Sequence, residues 1–360
     1  MRSFLIRLLS VLVGIVVALS LSEILLRGSH IGHTATLMLY NNIILKRKPH
    51  VKFMNLIENR NWVETNNLGF HDRERDPANG NYRVLFLGDS FVEATQVGTD
   101  NLFTRRLENM FSRDGHKIEC INGGVSGAGT AYEYLLWKEF FEPNIKVDQL
   151  VLCVFMGNDL KNNNIELSYP PNGNAIFLNR DGSVFTNEVK LSHFKKVVNI
   201  FRDYSAAINT LYESAYLIRR AHQKKNVEDE AQAQFGENKE RPGQAEGNSK
   251  AWEASVQGTV ALIRKWKSEL DEKNVPMDIV IIDTPEKSYN RFHIDFIDKL
   301  KQICEQDRIG YLRLKLTENP YDAYSFDGKA LGHFNYRGHQ MAAAELSDYF
   351  ESHYKEILNQ

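Results

Sequence analysis

The sequence predicts an α/β fold built on a parallel sheet, and three observations carry that prediction. Past residue 82, short apolar runs alternate with helical periods, the order of a sheet covered by helices on both faces. Gln149–Met156 is apolar at nearly every position, as a strand buried on both faces requires. Several apolar runs end in small or polar clusters, at the edge where open parallel sheets bind their ligands.

Taken in order, the chain opens on an apolar segment. Residues 8–22 carry no charge, and counting on to Leu26 gives 19 residues interrupted only by Glu23. That is close to the ~20 needed to cross a bilayer. Arg2 and Arg7 precede the run, which places the N-terminus in the cytoplasm and the rest of the chain beyond the membrane. Ala18 and Ser20 are spaced as a signal-peptide cleavage site, in which case the product would be secreted. Ile24-Leu25-Leu26 prolongs the run past that site and favours an uncleaved anchor over residues 1–27. A membrane-attached, exported and so periplasmic or extracytoplasmic domain is expected. Residues 28–80 are polar and irregular and read as a linker or a wrapping N-terminal extension. Their Lys46-Arg47-Lys48 cluster reads as a solvated charge run.

The catalytic-size domain is expected over 81–358. Strands are predicted at Tyr82–Leu87, Lys117–Ile121, Gln149–Met156, Asp278–Ile282 and Gly310–Leu314. Helical spacing covers about 100–113, 132–141, 251–272, 291–307 and 338–356. Residues 160–275 form a long insertion, a lid or cap on the sheet, in which 223–250 is too poor in apolar residues to fold alone. Across the whole chain of 360 residues, 44 Lys+Arg stand against 46 Asp+Glu, a net charge of −2 that argues against nucleic acid as a partner. Three cysteines are too few for a disulfide framework, and Cys120 and Cys153 lie inside apolar runs as small core residues. No ligand spacing for a metal and no phosphate-cradling glycine motif is present, so neither a metal nor a cofactor is expected.

The strand-end clusters supply the chemistry. The first strand runs into Gly88-Asp89-Ser90, the second into Asn122-Gly123-Gly124-Val125-Ser126-Gly127, and the third into Gly157-Asn158-Asp159. Downstream, His333-Phe334-Asn335-Tyr336-Arg337-Gly338-His339 precedes the last helix. Each cluster alone is an ordinary turn or cap. Together they offer a nucleophile, oxyanion donors and a base. A serine hydroxyl needs a neighbouring imidazole to take its proton, so Ser90 would attack and His333 would act as base and then acid. The backbone N–H groups of Ser90 and Gly127 and the side-chain amide of Asn158 would receive the oxyanion. His339, Asp89, Asn335 and Asp159 have ordinary structural roles open to them, as does Phe155 in the core. Phe91, Phe334 and Tyr336 flank the clusters and could line a pocket.

The set resembles the SGNH/GDSL hydrolase family in its Gly88-Asp89-Ser90 block, Gly127, Gly157-Asn158-Asp159 and His333. The resemblance covers residues 82–160 and 276–356, and with the apolar N-terminus it is similar to membrane-anchored bacterial members. It implies a flavodoxin-like three-layer α/β/α fold and ester hydrolysis or acyl transfer through an acyl-serine. The family's carboxylate falls three residues before the histidine, and Ala330 stands there. Asp327 is the expected third member, with Asp322 in reserve, the Gly328 and Gly332 loop returning it to the imidazole. The expected partner is an ester-bearing small molecule, glycan or lipid of the cell envelope. An O-acyltransferase on an envelope polysaccharide, or a non-catalytic scaffold that has lost its carboxylate, are the alternatives.

Overall fold

The computed structural model describes residues 2–28, 33–34, 36–41, 43–55, 58–168, 176–187, 193–215, 218, 242–284, 289–316, 318–328 and 331–355. Two compact units emerge, one of residues 1–37 with 190–242, the other of residues 38–189 with 243–360.

In the first unit α1 (Arg2–Gly28) is a single apolar helix, and residues 3–28 are long and apolar enough to cross a membrane. Glu23, the one charge inside its apolar run, accepts hydrogen bonds from Ser205 Oγ and the N–H groups of Ala206 and Ala207.

The second unit is organised by a five-stranded sheet. Its members are β5 (Tyr82–Leu87), β6 (Ile118–Asn122), β7 (Gln149–Phe155), β8 (Met277–Ile282) and β9 (Gly310–Arg313). All neighbours are parallel and the order is β9-β8-β7-β5-β6. Counted along the chain this is 2-1-3-4-5, the flavodoxin-like order, which turns back between its first and third strands. The expected α/β fold class is therefore the observed one.

Period-2 alternation divides the strands between two cores. Leu85, Leu87, Leu150, Leu152, Ile279 and Ile281 face one apolar layer with α4 (Thr130–Leu136), α7 (Pro242–Asp271) and α8 (Arg291–Asp307). Val84, Phe86, Val151, Cys153 and Val280 face the other, with α3 (Phe103–Arg113) and α9 (Tyr336–His353). Cys120 and Cys153 are buried free thiols. The helix expected to begin at 251 starts at Pro242. Of the 223–250 stretch, residues 223–241 lie outside the described residues.

Residues 38–80 are more ordered than their composition suggests. β1 (Leu37–Tyr40) pairs with β2 (Ile44–Arg47), and β3 (Lys52–Asn55) pairs antiparallel with β4 (Asn61–Glu64). Lys46 corrects the reading of a solvated charge run. It is 2 % exposed, donating to Leu68 O at 2.6 Å above the Phe70 and Phe140 rings, and burial pushes its ammonium down to about 8. Arg47 is engaged as well, bonded to Glu93 at 2.5 Å over the Phe53 ring. Arg75, fully buried, bonds Asp72, Glu108 and the Cys120 carbonyl, while Arg73 joins Glu108 to Glu119. This network fastens the extension to β6 and α3.

Candidate active site

The turn after β5 presents the hydroxyl. Gly88 is required there because a Cβ would stand 2.4 Å from Val92 Cγ2 and 3.0 Å from Cys153 Cβ. Asp89 caps α2 (Ser90–Glu93), its Oδ1 accepting from Phe91 N at 2.9 Å, which sets Ser90 at the first position of the helix. Asp89 thus has the structural role expected of it. β7 ends at Phe155, and Asn158 opens α5 (Asp159–Asn162). Ser90 and Asn158 consequently leave the sheet at β5 and β7, the two strands between which the topology reverses.

His333 arrives from the loop before α9. Its Nε2 lies 2.7 Å from Ser90 Oγ, and its ring is 4.9 Å from that of Phe91. Phe91 in turn lies 4.2 Å from Phe155, so Phe91 packs between that ring and the imidazole. Phe334 is fully buried in the α9-side core and Tyr336 is 44 % exposed.

The carboxylate that meets His333 is Glu58, which corrects the expectation of Asp327. Glu58 Oε1 lies 2.7 Å from His333 Nδ1, and Oε2 accepts from the His333 backbone N–H at 3.1 Å. Asp327 instead accepts from Ser325 Oγ at 3.3 Å, and Asp322 faces Arg337 at 3.7 Å. The physical reason lies in Gly332: a Cβ there would come 2.7 Å from Glu58 Cδ. The glycine thought to loop an aspartate back is the floor on which a glutamate from elsewhere rests. Glu58 sits between β3 and β4 at φ +63°, and the hairpin is held down beside it. Asn59 donates to Gln96 O at 3.0 Å and to Tyr336 Oη at 3.2 Å, and Asn55 donates to Thr95 Oγ1. The residue carries no motif, and 46 acids were candidates. The one usable signal was negative, the missing carboxylate three places before His333.

Burial disfavours the His333 imidazolium, but the hydrogen bond and charge of Glu58 outweigh it, so His333 titrates above the ordinary histidine range. Burial likewise raises Glu58, yet its bonds to His333 hold the carboxyl below the usual value. Asp89 is pushed up by burial, partly offset by Phe91 N–H and by the Asn158 side chain that bonds it. Glu133 and Asp159 are both raised by burial and by neighbouring carboxylates, Asp89 among them, and neither Glu133 oxygen has a hydrogen-bond partner among the described residues.

Gly127 lies in the loop after β6 at φ +77°, a conformation only glycine adopts freely, and a Cβ there would meet nothing. Its carbonyl accepts from Asn162 Nδ2 at 3.0 Å, tying this loop to α5. Asn335 caps α9 through Arg337 and Gly338, and Asp159 accepts from Phe155 N. His339 is fully buried, accepting from Phe103 N at 3.1 Å, and burial pushes it down to about 3.

No family model and no curated protein matches this chain. Solved structures do. An esterase from Pseudoalteromonas sp. is 12 % identical over 78 % of this chain and 100 % of its own, at a TM-score of 0.41. A putative lipolytic protein of the G-D-S-L family from Desulfitobacterium hafniense is 11 % identical over 75 % of this chain and 99 % of its own, at 0.39. A lipase/acylhydrolase from Enterococcus faecalis is 8 % identical over 75 % and 96 %, at 0.40.

Proposed function

We propose that this chain is a serine esterase of the SGNH/GDSL type, cleaving an ester through an acyl-serine intermediate. The observation that carries the reading is the continuous relay Ser90 Oγ–His333 Nε2, His333 Nδ1–Glu58, with both contacts at 2.7 Å. His333 takes the hydroxyl proton as Ser90 attacks the acyl carbon, then gives it to the departing alcohol. Glu58 holds the ring in the tautomer whose Nε2 is free to accept, and stabilises the imidazolium. Water enters by the same route in reverse and releases the acid. The N–H groups of Ser90 and Gly127 and the Asn158 amide are the oxyanion donors of this reading; losing one typically costs about 3 kcal/mol of transition-state stabilisation.

The relay removes the observation that favoured a non-catalytic scaffold, since a carboxylate does reach the imidazole. Water is favoured over a sugar hydroxyl as acyl acceptor because the side chains of His333 and Glu58 remain 32 % and 24 % exposed. The uncharged run of α1, preceded by Arg2 and Arg7, supports a chain anchored in a membrane with its catalytic unit on the exported side, and hence an ester of an envelope glycan or lipid.

The test is turnover of short- and long-chain aryl esters with free acid and transferred acyl groups measured together. Ser90→Ala and His333→Ala should abolish turnover with thermal unfolding nearly unchanged. Undiminished turnover by Ser90→Ala, or acyl groups delivered mainly to an added glycan with little free acid, would overturn the hydrolase reading.

A further inference from the structure

The long insertion contains a helix whose apolar side is left uncovered by the described residues. α6 (His193–Tyr204) buries none of its residues. At 100° per residue, Phe194, Val197, Val198, Ile200, Phe201 and Tyr204 fall on one side, and Lys195, Lys196, Asn199, Arg202 and Asp203 on the other. Phe194 and Tyr204 are 76 % and 77 % exposed, with Ile200 and Phe201 above half. An apolar stripe of this extent in water is an interaction surface.

What covers it is indicated by what α6 is attached to. Its last residue, Tyr204, accepts from Arg27 Nη2 at 2.8 Å, and Arg27 is paired with Glu23 at 2.5 Å. Glu23 receives Ser205 Oγ and the N–H groups of Ala206 and Ala207, the first turn of the helical segment that follows. Glu23 and Arg27 occupy the last two turns of α1. The sole charged residue in the apolar run is thus the clasp that fixes the end of α6 to the end of the spanning helix.

We propose that α6 lies in the exported leaflet's interface, with its apolar face among the lipid acyl chains beside α1 and its Lys and Arg face at the headgroups. The proposal rests on the reading of α1 as a membrane anchor. If α1 spans the bilayer from Arg7 outward, its C-terminal turns stand at the far interface, and the clasp delivers α6 to that depth. Phe, Ile and Val on one side with basic residues on the other is the chemistry of interfacial helices, which bury their apolar face ~5–10 Å into the headgroup boundary. The Tyr204 ring suits the same level.

The test uses the full chain reconstituted in phosphatidylethanolamine–phosphatidylglycerol vesicles, with a polarity-sensitive fluorophore on one introduced cysteine at a time. The three native thiols are buried. Labels at Phe201→Cys, Lys196→Cys and Leu12→Cys report the apolar face, the polar face and the middle of α1. The expected result is blue-shifted emission at 201, quenched by lipids with a nitroxide near the headgroup, no such change at 196, and quenching at 12 by a deep nitroxide. Quenching at 12 with 201 indistinguishable from 196 would overturn the proposal and leave the anchor standing. Absence of quenching at 12 would remove the anchor and the proposal with it.

Discussion

At the scale of single residues, the proposed chemistry rests on three side chains, and the sequence pointed to only two of them. Ser90 and His333 stand in short motifs whose spacing from strand ends is set by the sheet. Glu58 stands in none, because a triad is defined in space and its carboxylate can come from any loop that reaches the imidazole. Ser90→Ala should lower kcat by ~10,000-fold or more in ester hydrolysis, and Glu58→Gln by ~100- to 10,000-fold through loss of the ring's orientation. The pH dependence follows from the raised His333 pKa. The imidazole must be neutral to accept the serine proton, so kcat/KM rises with pH through a pKa above the ordinary histidine value. In Glu58→Gln the opposing burial is left unbalanced and that acid limb moves to lower pH. A limb unmoved in the variant would show that Glu58 does not govern the base. Gly332→Ala pushes a methyl against the Glu58 carboxylate, and its kcat should fall toward that of Glu58→Gln with folding retained.

Among elements, the sheet was legible and the extension was not. Tyr82–Leu87, Gln149–Phe155 and Met277–Ile282 are buried on both faces, and this writes apolar runs broken only at Arg83, Gln149 and Asp278. The helices α3 and α8 show their buried stripe in the same direct way. Residues 38–80 gave no such signal because much of their burial is ionic and the buried apolar side chains Ile44, Phe53, Val63 and Phe70 are scattered along the segment. A segment held by Arg75, Arg73 and Lys46 reads as polar and therefore as a linker, although the Arg75 side chain is buried. Arg75→Met leaves the buried Asp72 and Glu108 carboxylates short of their partner, at a cost of about 3–5 kcal/mol. Thermal unfolding should show it as a lowered Tm, with the hydroxyl of Ser90 still reactive below the transition. An unchanged Tm would mean that the extension contributes little to the fold.

At the scale of the whole molecule, the chain carries an apolar N-terminal helix, an extension that supplies the carboxylate of the proposed relay, and a sheet whose reversal point presents Ser90. The apolar N-terminal run was plain from composition, whereas the use made of Glu23 was not. A lone acid in a spanning segment is costly unless it is partnered, and here its partners lie some 180 residues further along the chain. The proposed anchor predicts that the full chain stays with the membrane fraction through an alkaline wash and that its catalytic unit is cleaved only by protease added from the exported side. The central claim, that Glu58 and not Asp327 completes the relay to Ser90, is tested most directly by comparing Glu58→Gln with Asp327→Asn in one full-length preparation. Steady-state hydrolysis of an aryl acetate should collapse by two or more powers of ten in Glu58→Gln while Asp327→Asn keeps most of its rate. The opposite ranking, with Asp327→Asn inactive and Glu58→Gln near the parent, would contradict the account.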